Sequence, residues 1–206
     1  MMEKSRLISV IIATHNRAEY LPAAVKSILE QTYQNFEIII VDDSSHDGTP
    51  LVIQKMLDKD NRIRSLRSEE NIGPGAARNL GIKHNRGDFI AIMDDDDIAK
   101  PERLEVQMHM LEEYLDVHLV FSSVSWLDDE LKQVKIFPGM VERNAFPKEP
   151  SEIFNLLYLE SNKIPNATIM TLNSIWDNFQ YPENPWIGED WFLFMQMAAS
   201  GVRMKP

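Results

Sequence analysis

The chain has 206 residues, 44% hydrophobic and 26% charged, a composition typical of folded globular proteins. Its 32 acidic residues outnumber its 21 lysines and arginines, and the net charge of −11 argues against a nucleic-acid backbone as the main partner. The absence of cysteine excludes disulfides, thiolate nucleophiles and cysteine-bound zinc. No apolar run approaches the roughly 20 residues of a membrane span. We therefore expect a cytoplasmic protein, and leave open its peripheral association with the inner face of the membrane.

The first half of the chain alternates between strand-like and helix-like stretches. Continuous apolar runs predict buried strands, and apolar residues at helical spacing predict the helices between them. The predicted strands cover 7–13, 36–41, 63–66 and 89–93, and the predicted helices about 18–31, 49–58 and 76–82. Such runs joined by helices are typical of a mostly parallel α/β sheet that is flanked by helices on both faces.

The second half of the chain has a less regular pattern. A helix is predicted at about 102–115, then a strand at 119–126 and a hairpin turn at 128–130 that leads into 134–137. The segment 138–165 contains four prolines and is predicted to be irregular, apart from a helix near 151–159. A strand at 166–172 and an apolar helix at 191–199 complete the prediction.

Polar residues follow three of the predicted strands. These loops are Thr14-His15-Asn16-Arg17, Asp42-Asp43-Ser44-Ser45 and Asp94-Asp95-Asp96-Asp97. Ligands of open α/β sheets bind outside the carboxyl ends of the strands, so we expect the three loops to share one site. Four consecutive carboxylates repel one another and favour a divalent cation, and oxygen ligands suit Mg²⁺ or Mn²⁺. The alternative for the aspartates alone is a solvated acidic turn.

Taken together, five stretches of the sequence resemble family 2 glycosyltransferases, which are inverting enzymes with the GT-A fold. These stretches are residues 10–17, 41–49, 71–79 and 87–97 and the late Gly188-Glu189-Asp190. The resemblance covers residues 7 to about 100 closely and 186–200 more loosely. It implies one GT-A nucleotide-diphospho-sugar transferase domain over 1–206, with 1–100 as the nucleotide-sugar-binding half and 101–206 as the acceptor side. Family members usually continue beyond this last helix, so we expect that the chain is truncated after Pro206, with a naturally short protein as the alternative.

The resemblance also implies roles for individual residues. Asp43, with Asp42 as the alternative, would accept a hydrogen bond from the base, and Arg78 would lie close to the phosphates. Asp94 and Asp96 match the outer positions of the aspartate-any-aspartate metal motif, with Asp96 as the direct ligand of Mg²⁺ or Mn²⁺. For Gly75, formation of the turn is the alternative to nucleotide contact. The implied nucleotide-sugar-binding residues are Thr14, Asn16, Arg17, Asp43, Asn71, Gly75, Arg78, Asp94 and Asp95.

The implied chemistry requires a general base opposite the leaving group. The family places this base in the Glu-Asp pair, which favours Asp190, with Glu189 as the second candidate. The alternative is that both carboxylates only complement the helix dipole. Trp186 could stack on an acceptor or donor sugar, or pack as an ordinary half-buried tryptophan. For His15 we expect loop hydrogen bonding rather than metal binding.

The sequence therefore favours a metal-assisted inverting glycosyltransferase that moves a sugar, most simply from a UDP-sugar, to a saccharide or lipid-linked acceptor. Synthesis of cell-surface polysaccharide is the expected context. One alternative is a non-catalytic nucleotide-sugar-binding module or partner subunit. A nucleotidyltransferase is a more distant alternative, because that class needs a glycine-rich loop after the first strand, and residues 14–17 contain no glycine.

Overall fold

The computed structural model of the protein describes residues 6–128, 132–183 and 188–206. Its strands are β1 (Ile8–Thr14), β2 (Phe36–Asp42), β3 (Ile63–Arg67), β4 (Phe89–Asp94), β5 (Leu119–Val120), β6 (Val124–Leu127), β7 (Gln133–Phe137), β8 (Met170–Leu172) and β9 (Met204–Lys205). Its helices are α1 (Leu21–Leu29), α2 (Thr49–Leu57), α3 (Pro74–Lys83), α4 (Arg103–Glu113), α5 (Met140–Asn144), α6 (Pro150–Leu159) and α7 (Glu189–Ala199). Short 3₁₀ turns cover Asn166–Thr168 and Asn173–Asp177.

Seven of these strands form one mostly parallel sheet in the order β3-β2-β1-β4-β8-β5-β9. The strands β3, β2, β1 and β4 are parallel neighbours, and β8 is antiparallel to both β4 and β5. The chain builds the sheet outward from β1 to β3 and then crosses back to place β4 on the other side of β1. The strand order therefore reverses between β1 and β4. Open α/β sheets bind their ligands at such a switch point, outside the carboxyl ends of the strands.

Helices cover the sheet on both faces, as the continuous apolar runs predict. Alternate residues of a strand point to opposite faces, and the buried residues of β1 divide accordingly. Val10 and Ile12 pack with residues of α1, α2 and α4. Ile11 packs on the other face with residues of α3, α6 and α7. The predicted fold class is therefore confirmed: an α/β fold with a mostly parallel sheet between layers of helices.

Two predicted strands are shorter in the structure than the sequence suggested. The run 119–126 is split into β5 and β6, which belong to different sheets. The Thr168 hydroxyl exchanges hydrogen bonds with the backbone N–H and C=O of Ser122, at 3.1 and 3.0 Å, so this backbone cannot continue the ladder. The run 166–172 begins as a 3₁₀ turn after Pro165, and only β8 pairs with the sheet.

The predicted hairpin is present, because β6 and β7 pair as a separate antiparallel ribbon. Two residues of the predicted turn, 129 and 130, lie outside the described residues. The segment predicted as irregular contains the short helix α5 as well as the expected α6. None of the helices in the described parts of the chain combines the length and apolar character needed to cross a bilayer.

Candidate functional site

A cavity of about 380 Å³ opens at the carboxyl ends of β1, β2 and β4. It is lined by Ala13, Thr14, His15, Arg17, Asp43, Asn71, Pro74, Ala77, Arg78, Asp94, Asp95 and Asp96. Most of the residues implied by the resemblance are therefore brought together, although they come from four separate segments of the chain. Asn16 and Gly75 are not among the lining residues of this cavity.

The loops after β1 and β2 are joined by hydrogen bonds around Asn16. Asn16 adopts a left-handed backbone with φ of 55°. Its side-chain oxygen accepts hydrogen bonds from the backbone N–H groups of His46 and Asp47 at 2.8 and 3.3 Å. The ring Nδ1 of His15 lies 2.5 Å from the backbone oxygen of Asp43, which agrees with the expected role of His15 in loop hydrogen bonding. Asn16 therefore shapes the cavity indirectly, by fixing the loops.

Asp43 anchors the turn that carries Asn71. Its carboxylate accepts hydrogen bonds from the Ser68 hydroxyl at 2.8 Å and from the backbone N–H groups of Ile72 and Gly73, both at 2.9 Å. Only 4% of Asp43 is exposed. Ionised carboxylates offer about four acceptor positions, so one remains for a ligand.

Asp42, the alternative to Asp43, faces a different set of groups. Its carboxylate pairs with Arg67 and accepts a hydrogen bond from the backbone N–H of Ser45 at 3.0 Å. It does not line the cavity. Of the two aspartates, Asp43 is therefore the one that reaches the candidate site.

The four consecutive aspartates that begin at the end of β4 lie close to three arginines, and Arg103 is the one that faces Asp97. Asp94 lies 2.9 Å from Arg78, and Arg17 approaches Asp95 and Asp96 at 3.9 and 3.7 Å. Burial raises the pKa of Asp95, and burial together with the neighbouring carboxylates raises the pKa of Asp97 to about 6. Four carboxylates therefore face three arginines, one of which, Arg78, also pairs with Glu189.

This donor set fits a magnesium-type site that is completed by a substrate. In the described parts of the chain, no three histidine, cysteine, aspartate or glutamate side chains converge as a complete metal site. Mg²⁺ is usually held by one or two carboxylates together with substrate phosphates, rather than by a full protein cage. Asp94 and Asp96, both at the cavity wall, supply that number of oxygen ligands.

Arg78 joins the aspartates to the start of α7. Its guanidinium contacts Asp94 at 2.9 Å and Glu189 at 3.1 Å, and it lies 5.5 Å from the centre of the Tyr181 ring. Burial alone would lower the pKa of Arg78, but the charges of Asp94 and Glu189 raise it above its usual value. Arg78 is thus a permanently charged link between β4 and α7.

Glu189 and Asp190 occupy different environments at the start of α7. Glu189 is held by Arg78, whereas Asp190 accepts hydrogen bonds from the Asn162 amide at 3.1 Å and from the Trp191 backbone N–H at 2.8 Å. Burial raises the pKa of Asp190. Trp186, the predicted stacking residue, lies outside the described residues.

Gly75 is a point of close packing. A Cβ at this position would lie 2.8 Å from the backbone oxygen of Pro182 and 3.2 Å from the Tyr181 Cβ. One turn further along α3, the Asn79 side chain pairs with the backbone N–H and C=O of Tyr181 at 2.9 and 2.8 Å. Tyr181 and Pro182 are therefore docked on α3.

Two residues of this region were missed by the sequence analysis. Arg103, at the start of α4, donates to the backbone oxygens of Ile92 at 2.7 Å and Ile169 at 3.4 Å, and burial lowers its pKa to about 10. An arginine within the predicted helix that follows the aspartates was a usable signal. Tyr181 gave no such signal, because its ring reaches Arg78 only through the tertiary fold.

Comparison with known proteins assigns the chain to a family. The model of the glycosyl transferase family 2 matches residues 9–179. An uncharacterized glycosyltransferase of Rickettsia conorii is 34% identical over 195 residues, which are 93% of this chain and 30% of that protein. The Escherichia coli protein WfaP, named as a UDP-Glc:α-D-GlcNAc-diphosphoundecaprenol β-1,3-glucosyltransferase, is 31% identical over 203 residues, 97% of this chain and 73% of WfaP. The chain spans about 30% of the length of the Rickettsia relative.

Solved structures show the same fold at lower identity. S. aureus TarS 1-349 in complex with UDP-GlcNAc has a TM-score of 0.74 at 22% identity, covering 96% of this chain and 54% of that one. The mannosyltransferase PcManGT from Pyrobaculum calidifontis, in complex with GDP-Man and Mn²⁺, has a TM-score of 0.72 at 19% identity, covering 99% of this chain and 55% of that one. With this GT-A fold and the family match over most of its length, the chain belongs to glycosyl transferase family 2.

Proposed function

We propose that residues 1–206 form the GT-A domain of a metal-assisted, inverting glycosyltransferase, with 1–100 as its donor half and 101–206 as its acceptor side. The donor is a nucleotide-diphosphate sugar, in the first place a UDP-sugar, and the acceptor is a saccharide or a lipid-linked saccharide. One observation carries the proposal: carboxylates from the end of β4 and the start of α7 meet at the same edge of the sheet, joined by the buried Arg78.

On the donor side, the cavity is suited to a nucleotide. Its volume of about 380 Å³ lies within the usual range for small-molecule sites. The remaining acceptor position of Asp43 and the amide of Asn71 hold the base, while Thr14, Arg17 and Asp95 line the wall that faces the phosphates and the sugar. The UDP-sugar assignment is supported by the name of WfaP and by the UDP-GlcNAc bound to TarS.

Asp96 and Asp94 would hold Mg²⁺ or Mn²⁺ beside the pyrophosphate. When bound, the metal stabilises the negative charge that develops on the departing nucleoside diphosphate, as a Lewis acid. Arg17 adds a positive charge next to Asp95 and Asp96. The Mn²⁺ present with GDP-Man in PcManGT supports this assignment.

Asp190 acts as the general base. Its carboxylate takes the proton of the acceptor hydroxyl while the hydroxyl oxygen bonds to the anomeric carbon and the bond from that carbon to the phosphate oxygen breaks. Attack from the face opposite the leaving group inverts the anomeric configuration. Burial raises the pKa of Asp190 towards the working pH, which favours proton transfer. Glu189 is the weaker candidate, because Arg78 already occupies its carboxylate.

The acceptor class rests on the relatives rather than on the cavity. The name of WfaP describes a sugar carried on diphosphoundecaprenol, and this supports a lipid-linked acceptor and a role in polysaccharide synthesis. Such an acceptor would bring the domain to the inner face of a membrane without requiring it to cross the bilayer.

A transfer assay with the Asp190→Asn variant tests the proposal. Release of nucleoside diphosphate from a panel of UDP-sugars is measured with saccharide and lipid-linked acceptors in the presence of Mn²⁺. We expect Asp190→Asn to lower transfer by about 10²-fold or more while it still binds the donor. The matched control is Asp116→Asn. Asp116 is exposed, pairs with Arg203 and precedes β5, at the end of the strands opposite the cavity.

Two results would contradict the proposal. Transfer by Asp190→Asn at the wild-type rate would remove Asp190 from the chemistry. A wild-type protein that binds a donor but releases no nucleoside diphosphate with any acceptor would favour a nucleotide-sugar-binding module instead.

A further inference from the structure

The side chain of Arg78 forms part of the cavity wall but is almost completely buried. Only 8% of the residue is exposed. One terminal nitrogen contacts Asp94 Oδ1 at 2.9 Å and the other contacts Glu189 Oε1 at 3.1 Å, on residues 16 and 111 positions away in the chain. The planar fork of a guanidinium can bridge two carboxylates in this way, whereas a lysine ammonium provides only a point charge.

Tyr181 limits the movement of this guanidinium. The ring centre lies 5.5 Å from the guanidinium carbon, and the residue is fully buried. Its hydroxyl donates to the Asn166 side-chain oxygen at 2.7 Å. The contacts to Asp94 and Glu189 use one terminal nitrogen each, and a phosphate that took the place of either carboxylate would break the connection between them.

The same helix fixes Tyr181 and Pro182, which precede α7 in the chain. Gly75 allows α3 to approach Pro182 closely, and Asn79 pairs with both backbone groups of Tyr181. Gly75, Arg78 and Asn79 are spaced at three and four residues along α3, so they share one face of the helix. That face contacts the segment before α7, the first residue of α7 and the aspartate at the end of β4.

From these contacts we infer that Arg78 is a positioning residue, which holds the start of α7 through Glu189 and so fixes Asp190 relative to Asp94, rather than a residue that binds the donor phosphates. The inference rests on the proposed function and adds to it a physical connection between the donor side and the acceptor side. Glu189 is the second member of this connection and not an alternative base.

The test compares Arg78→Gln, Arg78→Lys, Glu189→Gln and the double variant Arg78→Gln/Glu189→Gln. The donor Kd is measured by calorimetry with Mn²⁺, and kcat is measured at saturating donor. The matched control is Arg62→Gln, which removes another ion-paired arginine, bound to Asp60 at the opposite edge of the sheet.

We expect Arg78→Gln and Glu189→Gln each to lower kcat by about 100-fold, since a misplacement of roughly 1 Å has an effect of this size. The donor Kd should change by less than about threefold, and the double variant should be no slower than the slower single variant, because both act through one contact. Arg78→Lys should recover only part of the loss. The inference is overturned if Arg78→Gln weakens donor binding tenfold or more and keeps its kcat, or if the two losses multiply in the double variant.

A readout that needs no activity separates this inference from the proposed function. The charged and titratable groups around Asp190 are Glu189, Arg78 and Tyr181. Burial raises the pKa of Asp190, and the charge of Arg78 opposes that increase. An NMR titration of the Asp190 carboxyl carbon should therefore give a higher pKa in Arg78→Gln than in wild type or Arg62→Gln. An unchanged pKa would refute the connection, even in a protein for which no donor is found.

Discussion

Gly75 is where α3 comes closest to the segment before α7, and the substitution Gly75→Ala tests that packing. The new Cβ would lie 2.8 Å from the Pro182 oxygen, so the backbone must move to restore an ordinary separation of at least 3.4 Å. Tyr181, which is buried and held by Asn79, resists this movement. Overpacking of this kind costs about 1–3 kcal/mol, and the better helix propensity of alanine returns at most about 1 kcal/mol.

We therefore expect Gly75→Ala to lower the free energy of unfolding by up to about 2 kcal/mol, which is a Tm decrease of a few degrees for a protein of this size. A larger effect is expected on kcat, about tenfold or more, because Tyr181 packs against Arg78, which holds the first residue of α7. The donor Kd should stay near the wild-type value, since Gly75 does not line the cavity.

The assays are thermal unfolding, calorimetry with the donor and initial rates of transfer. Gly48→Ala is the matched control, because its Cβ would meet Ala18 at 3.4 Å, which is an ordinary contact, and the backbone φ of −72° suits alanine. If Gly75→Ala has the same Tm and kcat as Gly48→Ala, the packing argument is wrong. Loss of donor binding with kcat retained would instead restore the direct nucleotide contact implied by the resemblance.

Three further predictions concern the buried carboxylate of Asp43 and the half-buried carboxylates of Asp190 and Asp97. Asp43→Ala removes the acceptor for two backbone N–H groups, at a cost of about 1–3 kcal/mol each. The free energy of unfolding measured with urea should therefore fall by at least about 2 kcal/mol. A decrease below about 1 kcal/mol would refute the anchoring role. Asp190 must be ionised to act as a base, and burial raises its pKa. The transfer rate should therefore decline with falling pH already above the usual aspartate pKa of about 3.9. A decline that begins only at or below that pH would contradict the assignment. The pKa of Asp97 is raised to about 6, so its ionised form destabilises the metal-free fold above that pH and the penalty disappears as the pH falls. Asp97→Asn in EDTA should therefore raise the Tm near pH 8 but not near pH 4, and an equal gain at both pH values would contradict this sign.

The parallel half of the sheet could be predicted because its strands are buried on both faces. Every residue of β2 is buried, and five of its seven residues, 36 and 38–41, are apolar, which is the pattern expected of such a strand. The end of β5 could not be predicted, because it depends on a hydrogen-bonding partner, Thr168, that lies 46 residues away in the chain. The sequence pattern predicts which residues are buried, but it does not predict hydrogen bonds between residues that are far apart in the chain.

The position of the candidate site was predictable for a similar reason. The polar loops after β1, β2 and β4 meet at one edge because parallel strands place their carboxyl ends there. The functions of Gly75 and Asn16 within that edge were not predictable. The role of Asn16 depends on the backbone N–H group that its side chain contacts in the folded protein. The role of Gly75 depends on the backbone oxygen that it can approach because it has no side chain.

Metal-dependent binding of a nucleotide at the aspartates after β4 is the central claim. Calorimetric titration of UDP, GDP and UDP-sugars, first with Mn²⁺ and then with EDTA, tests it most directly. We predict micromolar binding of one nucleotide with Mn²⁺, about −8 kcal/mol, which EDTA and Asp96→Ala abolish and Asp116→Asn leaves intact. Binding that is equally tight in EDTA or in Asp96→Ala, or no binding of any of these nucleotides, would contradict the account.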